Sequence, residues 1–169
     1  MSGFGFHTGS QVVTASGATW VAPASQDCLD AVFEIETDEM APDCFPRFFF
    51  TQALGLFGPG FLVARIGVEV AGYALLGRHA EGRDAELYSV VVGARWRGRG
   101  AGEALTRACI EVAQCWTCDA VRLSVSPGNA VARRLYETVG FERCGFEPQY
   151  YGAGEDRVLM RLALSAEGA

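Results

Sequence analysis

Apolar positions change their period several times along this chain, and each change marks an element. Residues 19–24 predict a short strand. Ser25 follows as a helix cap with Asp27 in the first turn, and Leu29, Val32, Phe33 and Glu36 then share one helical stripe. An acidic run, Glu34, Glu36, Asp38 and Glu39, continues that helix until Pro42 breaks it. A second helix is predicted over residues 45–56, ended by Gly58-Pro59-Gly60. Residues 61–65 and 70–76 predict two strands around a tight turn, and a polar connection over 78–84 leads into residues 85–92. This last run is almost continuously β-prone, the pattern of a central strand buried on both faces.

The period then lengthens. Leu105, Ala108, Cys109, Val112, Ala113 and Trp116 fall at helical spacing. Val121, Leu123 and Val125 alternate as a strand, and Ala132, Leu135, Tyr136 and Val139 mark a helix stopped by Gly140. Residues 143–149 and 157–164 predict two closing strands. Strand, two helices, three strands, helix, strand, helix and two strands make an α/β fold around a mixed sheet, with no internal repeat. Residues 1–17, rich in Gly, Ser and Thr, read as a flexible arm or a short edge element before a single domain over 18–165.

Bulk composition narrows the partners. The 169 residues suffice for one packed core. A formal net charge of −6 and a pI near 4.9 disfavour nucleic acid. An acidic surface suits a cationic acceptor, although solubility alone explains it equally. No Lys occurs, which is attributed to base composition rather than function. Apolar stretches are strand-sized, so no membrane span is expected. The start has no basic segment followed by an apolar run, so a cytoplasmic location is expected.

The six cysteines include Cys115-Trp116-Thr117-Cys118. A zinc site would need a second ligand pair, and a redox pair usually opens a helix rather than closing one, so no metal is expected. Cys28, Cys44, Cys109, Cys115, Cys118 and Cys144 are read as small buried apolar residues in a reducing compartment.

The chemistry-bearing stretch is Arg97-Gly98-Arg99-Gly100-Ala101-Gly102, between the 90–92 strand and a helix start. A helix start offers unpaired N–H groups and the positive end of the helix dipole. Glycines let a pyrophosphate approach the backbone, while Arg95, Arg97 and Arg99 add positive charge. Taken alone, these glycines also fit a tight structural turn. A P-loop is excluded because no Gly-Lys-Ser/Thr follows, and the G-x-G-x-G spacing after a meander disfavours a Rossmann site.

The run from Val92 to Gly102 resembles the cofactor motif of the GNAT acetyltransferase superfamily, with Ala94 where a proline is usual. Downstream, Asn129-Ala130-x-Ala132-x-x-Leu135-Tyr136-Glu137-x-x-Gly140-Phe141 resembles its second signature. The resemblance implies a mixed, mostly antiparallel sheet of about seven strands flanked by about four helices. It also implies acetyl-CoA as acetyl donor, held by the backbones of Val90, Val91 and Val92, the loop residues 97–102, and Asn129. An N–H near Val92 would polarise the acetyl carbonyl. Tyr136, two turns along the helix from Asn129, would protonate the leaving thiolate. Apart from the resemblance, Asn129 is equally a helix cap and Tyr136 a half-buried aromatic.

Transfer to an amine also needs a proton acceptor. Glu86 is the candidate, because residues 86, 88, 90 and 92 are expected to share one strand face and Ala85-Glu86-Leu87 resembles the histone-acetylating branch. A solvated strand-end carboxylate is the alternative. The ending with Tyr150-Tyr151, Glu155-Asp156 and Met160, and Phe45-Pro46 after the acidic helix, resemble bacterial acetyltransferases of ribosomal-protein N-termini. That likeness implies acceptor contacts at Tyr150, Tyr151, Phe45 and Glu36, and a protein or peptide N-terminus as acceptor. Ser124 departs from it, standing where those enzymes carry a catalytic glutamate. A small amine (polyamine, amino acid or aminoglycoside) and a non-catalytic CoA-binding module remain the alternatives, with the chain a monomer or homodimer.

Overall fold

The computed structural model describes residues 10–14 and 17–164, with side chains from residue 19 onward. The strands are β1 (Ser10–Thr14), β2 (Gly17–Pro23), β3 (Phe61–Ile66), β4 (Glu69–Arg78), β5 (Asp84–Val92), β6 (Ala120–Val125), β7 (Glu142–Glu147) and β8 (Arg157–Ala163). The helices are α1 (Leu29–Met40), α2 (Arg47–Phe57), α3 (Ala101–Cys115) and α4 (Ala130–Val139). One sheet of eight strands runs β1-β2-β3-β4-β5-β6-β8-β7. Every neighbouring pair is antiparallel except β5 with β6. The strand beyond the expected seven is β1, an edge strand inside the segment read as a flexible arm or a short edge element; residues 1–9, 15–16 and 165–169 lie outside the described ones.

Two apolar clusters lie on opposite sheet faces. Beneath α3 and α4, Leu62, Ala74, Leu76, Ala85, Leu87 and Leu123 meet Ala101, Ala104, Leu105, Ala108 and Tyr136. Small residues on α3 let it approach the sheet closely, and Leu105, fully buried, contributes about 1.5–3 kcal/mol. On the other face Val63, Val70, Tyr73, Leu75 and Val91 meet Leu29, Val32, Phe50 and Ala53 of α1 and α2.

The predicted second helix starts two residues late, with Pro46 as its N-cap. The residue before a proline avoids helical backbone. Phe45 instead donates its N–H to Glu36 Oε1 at 2.7 Å. The expectation of a central strand buried on both faces holds only for the first half of β5. Beyond Leu87 the strand is half-buried, with Tyr88 53% exposed, because its partner on one side departs. The cysteines also divide: Cys28, Cys109 and Cys118 are buried, but Cys115 and Cys144 are exposed and Cys44 is intermediate. All six are free thiols.

Candidate active site

The site begins with a split in the sheet. Strand β5 pairs with parallel β6 only from Asp84↔Ala120 to Glu86↔Arg122. Beyond that point β6 continues beside β8, while β5 continues beside β4. Residues 87–92 therefore have a bare edge. Which backbone groups occupy it follows from one bond: Gly93 N–H donates to Ala71 O, toward β4, at 3.0 Å. In a trans peptide the Val92 carbonyl then points the other way, into the split. Strand alternation gives the Val92 N–H, and both backbone groups of Val90, the same outward direction. Val91 turns its backbone toward Tyr73 of β4 and its side chain toward α1 and α2.

A β-bulge shapes the same strand. Leu75 pairs with Ser89 and Leu76 with Leu87, leaving Tyr88 without a β4 partner. The extra residue reverses side-chain alternation. Ala85, Leu87, Val90 and Val92 all meet the α3 cluster. Glu86 lies between two of them and points to the α1–α2 face, where Tyr88 stacks at 6.0 Å on Phe45. The expectation that 86, 88, 90 and 92 share one face is thus corrected: Glu86 and Tyr88 take one side, Val90 and Val92 the other. A bulge leaves no mark in apolar periodicity.

At the end of β5 the chain turns through Ala94–Trp96 into α3. Gly98 and Gly100 adopt φ of 73° and 83°, the left-handed region that a Cβ disfavours. Gly102 has a different reason: an added Cβ would lie 3.3 Å from Leu135 of α4. These glycines let the loop present the first N–H groups of α3 beside the split, and Ala101 is buried behind them. Gly100→Ala is expected to cost about 1–2 kcal/mol of stability, read from the urea midpoint, and to weaken CoA binding.

The arginines do not simply line up for an anion. Arg97 pairs with Glu39 of α1, and Arg95 lies 3.3 Å from Glu69. Arg95 and Arg99 each sit over the Trp96 ring, at 4.8 and 5.2 Å from its centroid. The charges are present at the loop, but Arg95 and Arg97 already have carboxylate partners.

Tyr136 is buried, edge-on to Phe141 at 5.8 Å, and burial pushes its phenol up to about 12. It belongs to the cluster of Leu123 and Val125, against which Val90 and Val92 pack. Asn129 caps α4, its side-chain oxygen accepting from Ala132 N at 3.0 Å. Glu86 lies on the opposite face. Burial raises its carboxyl above the usual range, against the pull of His79 and Arg122. The candidate acid and base therefore flank the split from its two sides.

Two of the residues expected to contact an acceptor touch each other. Tyr150 and Tyr151 meet edge-on at 4.7 Å and remain 45% and 62% exposed. The Tyr150 phenol is raised by burial, then by the neighbouring Tyr151 and the charge of Glu86. Ser124 does not stand alone: its Oγ is 3.2 Å from the Tyr151 hydroxyl. Phe45 stacks on Phe49 at 4.4 Å and forms an aromatic wall with Tyr88. Glu36 is corrected: it is 1% exposed and accepts from Phe45 N and from the Tyr73 hydroxyl, so it holds the wall rather than facing an acceptor. Glu39, Tyr88 and the Ser124–Tyr151 contact were not singled out from sequence; Glu39 carried only the signal of lying one turn beyond Glu36.

The sequence model described as the Acetyltransferase (GNAT) family matches residues 27–141. The chain belongs to that family, whose members use acetyl-CoA as acetyl donor. An uncharacterized Mycobacterium leprae protein is 36% identical over 60% of the chain, and the chain spans only 28% of that protein's length. The N-alpha-acetyltransferase of Sulfurisphaera tokodaii is 29% identical over 73% of this chain and 80% of its own. The crystal structure of ribosomal-protein-alanine N-acetyltransferase from Brucella melitensis superposes with a TM-score of 0.76 and 27% identity, covering 85% of this chain and 99% of that one. No helix among the described residues is long and apolar enough to cross a membrane.

Proposed function

We propose that this chain transfers acetyl from acetyl-CoA directly to a primary amine, the N-terminal amino group of a protein or peptide. The observation that carries the reading is the bare edge of β5, with Val90 and Val92 presenting backbone groups beside the start of α3. That edge suits a slender amide-bearing arm, and the glycine loop suits a pyrophosphate at a helix start. Residues 97–102 and Asn129 would hold the donor, which supplies an activated thioester. The Val92 N–H would polarise its carbonyl.

The remaining chemistry falls to side chains. Glu86 would take the amine proton, directly or through water, and its raised affinity for protons suits a base working near neutrality. Tyr136, protonated across the working range, would return a proton to the thiolate. Ser124 cannot replace a carboxylate as base, but its contact with Tyr151 would fix one side of the acceptor opening. Support for a peptide acceptor comes from the aromatic pair Tyr150–Tyr151, the Phe45–Tyr88 wall and the names of the two relatives above.

Release of free thiol from acetyl-CoA, measured over a panel of peptides with different first residues and a panel of polyamines, amino acids and aminoglycosides, tests this. Peptides are expected to turn over. Turnover confined to the small amines would replace the acceptor assignment, and CoA binding with no transfer to any amine would make the chain a binding module.

A further inference from the structure

The contacts of Glu39 have no place in the transfer chemistry, yet they converge on the cofactor loop from a separate element. Glu39 lies in the last turn of α1, its side chain only 11% exposed. Oε1 accepts from Ala94 N at 2.5 Å, and Oε2 accepts from the Arg97 guanidinium. Both oxygens of one carboxylate thus grip two points of the turn between β5 and α3. The same helix packs on the turn through Ile35, whose Cγ1 lies 3.6 Å from where a Cβ on Gly93 would be. One turn earlier, Glu36 grips Phe45 N and Tyr73.

We propose that Glu39 is a positioning residue for the cofactor loop, holding residues 94–97 in the shape that binds CoA; this rests on the reading of that loop as the pyrophosphate site. The physical case is preorganisation. A loop with two left-handed glycines has many alternative shapes, and fixing it before binding removes an ordering penalty from the ligand. A charged acceptor on a backbone N–H and a paired guanidinium are among the stronger hydrogen bonds available for this. The pair also aims Arg97, which loses a defined direction without it.

The test is calorimetric titration of CoA into the wild type, Glu39→Gln and Glu39→Ala, with steady-state kinetics alongside. Removing both contacts should weaken CoA roughly tenfold in Glu39→Ala. Glu39→Gln keeps an oxygen for Ala94 N and should fall between. The KM for acetyl-CoA should rise in parallel while kcat at saturation stays within about twofold, because the lost organisation serves bound substrate and transition state alike. A purely structural role would lower the melting temperature without this split. An unchanged CoA affinity in both variants overturns the proposal and leaves the loop reading intact. Tighter binding in either also overturns it, since the carboxylate would then compete with the phosphates. No CoA binding by the wild type sinks the loop reading itself and the proposal with it.

Discussion

Replacing Tyr136 by phenylalanine should lower kcat roughly a hundredfold while leaving CoA affinity nearly unchanged. The substitution removes one oxygen and keeps the ring edge-on to Phe141. Tyr136 is 8% exposed, within a cluster of apolar side chains, so the packing that holds α4 survives. Burial pushes the phenol up to about 12, and it therefore keeps its proton at any working pH. A group of this kind donates when a thiolate develops beside it and does not compete as a base. Steady-state thiol release with calorimetric CoA titration separates the two effects. Full turnover in the phenylalanine variant would move the proton donor to solvent and remove Tyr136 from the mechanism.

Glu86→Gln should likewise slow turnover, roughly a hundredfold, and should change two pH profiles in opposite senses. In the wild type, kcat/KM should fall as pH drops through the folded-state pKa of Glu86. That limb lies above the ordinary carboxylate range because burial disfavours the charged form. The glutamine variant should lack the limb altogether. Stability has the reverse sign. A carboxyl whose pKa is raised on folding contributes stability below its unfolded pKa, and that contribution is lost as pH rises through the folded value. Above its folded-state pKa the wild type carries a charged, partly buried group, so Glu86→Gln should melt at a higher temperature there. The advantage should vanish in acid, where both side chains are neutral. Equal melting temperatures at every pH would show that the carboxylate is solvated, the bland alternative for a strand-end glutamate.

Much of the fold was legible because it rests on local signals. Pro42, Gly58-Pro59-Gly60 and Gly140 ended helices where expected, and the alternation of Val121, Leu123 and Val125 marked β6. The glycine loop was legible for a similar reason: Gly98 and Gly100 are demanded by backbone angles that few other residues adopt. What sequence concealed depended on pairing between distant segments. The bulge at Tyr88 exists only in the register of β4 against β5, and it moved Glu86 to the face opposite Val90. Glu36 read as part of an acidic run and as an acceptor contact, yet it is buried, and Tyr73, 37 residues on, donates its hydroxyl to it. Arg97 read as positive charge added at the loop, and nothing local announced its partner Glu39. Among these residues, backbone-driven assignments transferred well, and charge-driven ones did not.

The bare edge of β5 has one more consequence, for the protein in storage rather than at work. Unpaired strand groups invite a foreign strand to complete them, which is how sheets join into aggregates. Six consecutive residues, 87–92, offer such a template in the middle of this sheet rather than at its rim. Mutual repulsion from a net charge of −6 keeps molecules apart, and salt weakens that protection. A ligand lying along Val90 and Val92 would seal the seam and stabilise the fold by mass action. Purified without CoA and warmed in high salt, the protein should cloud earlier than with CoA present, by light scattering. The gap that makes room for chemistry is also the place where the solution shelf life is decided.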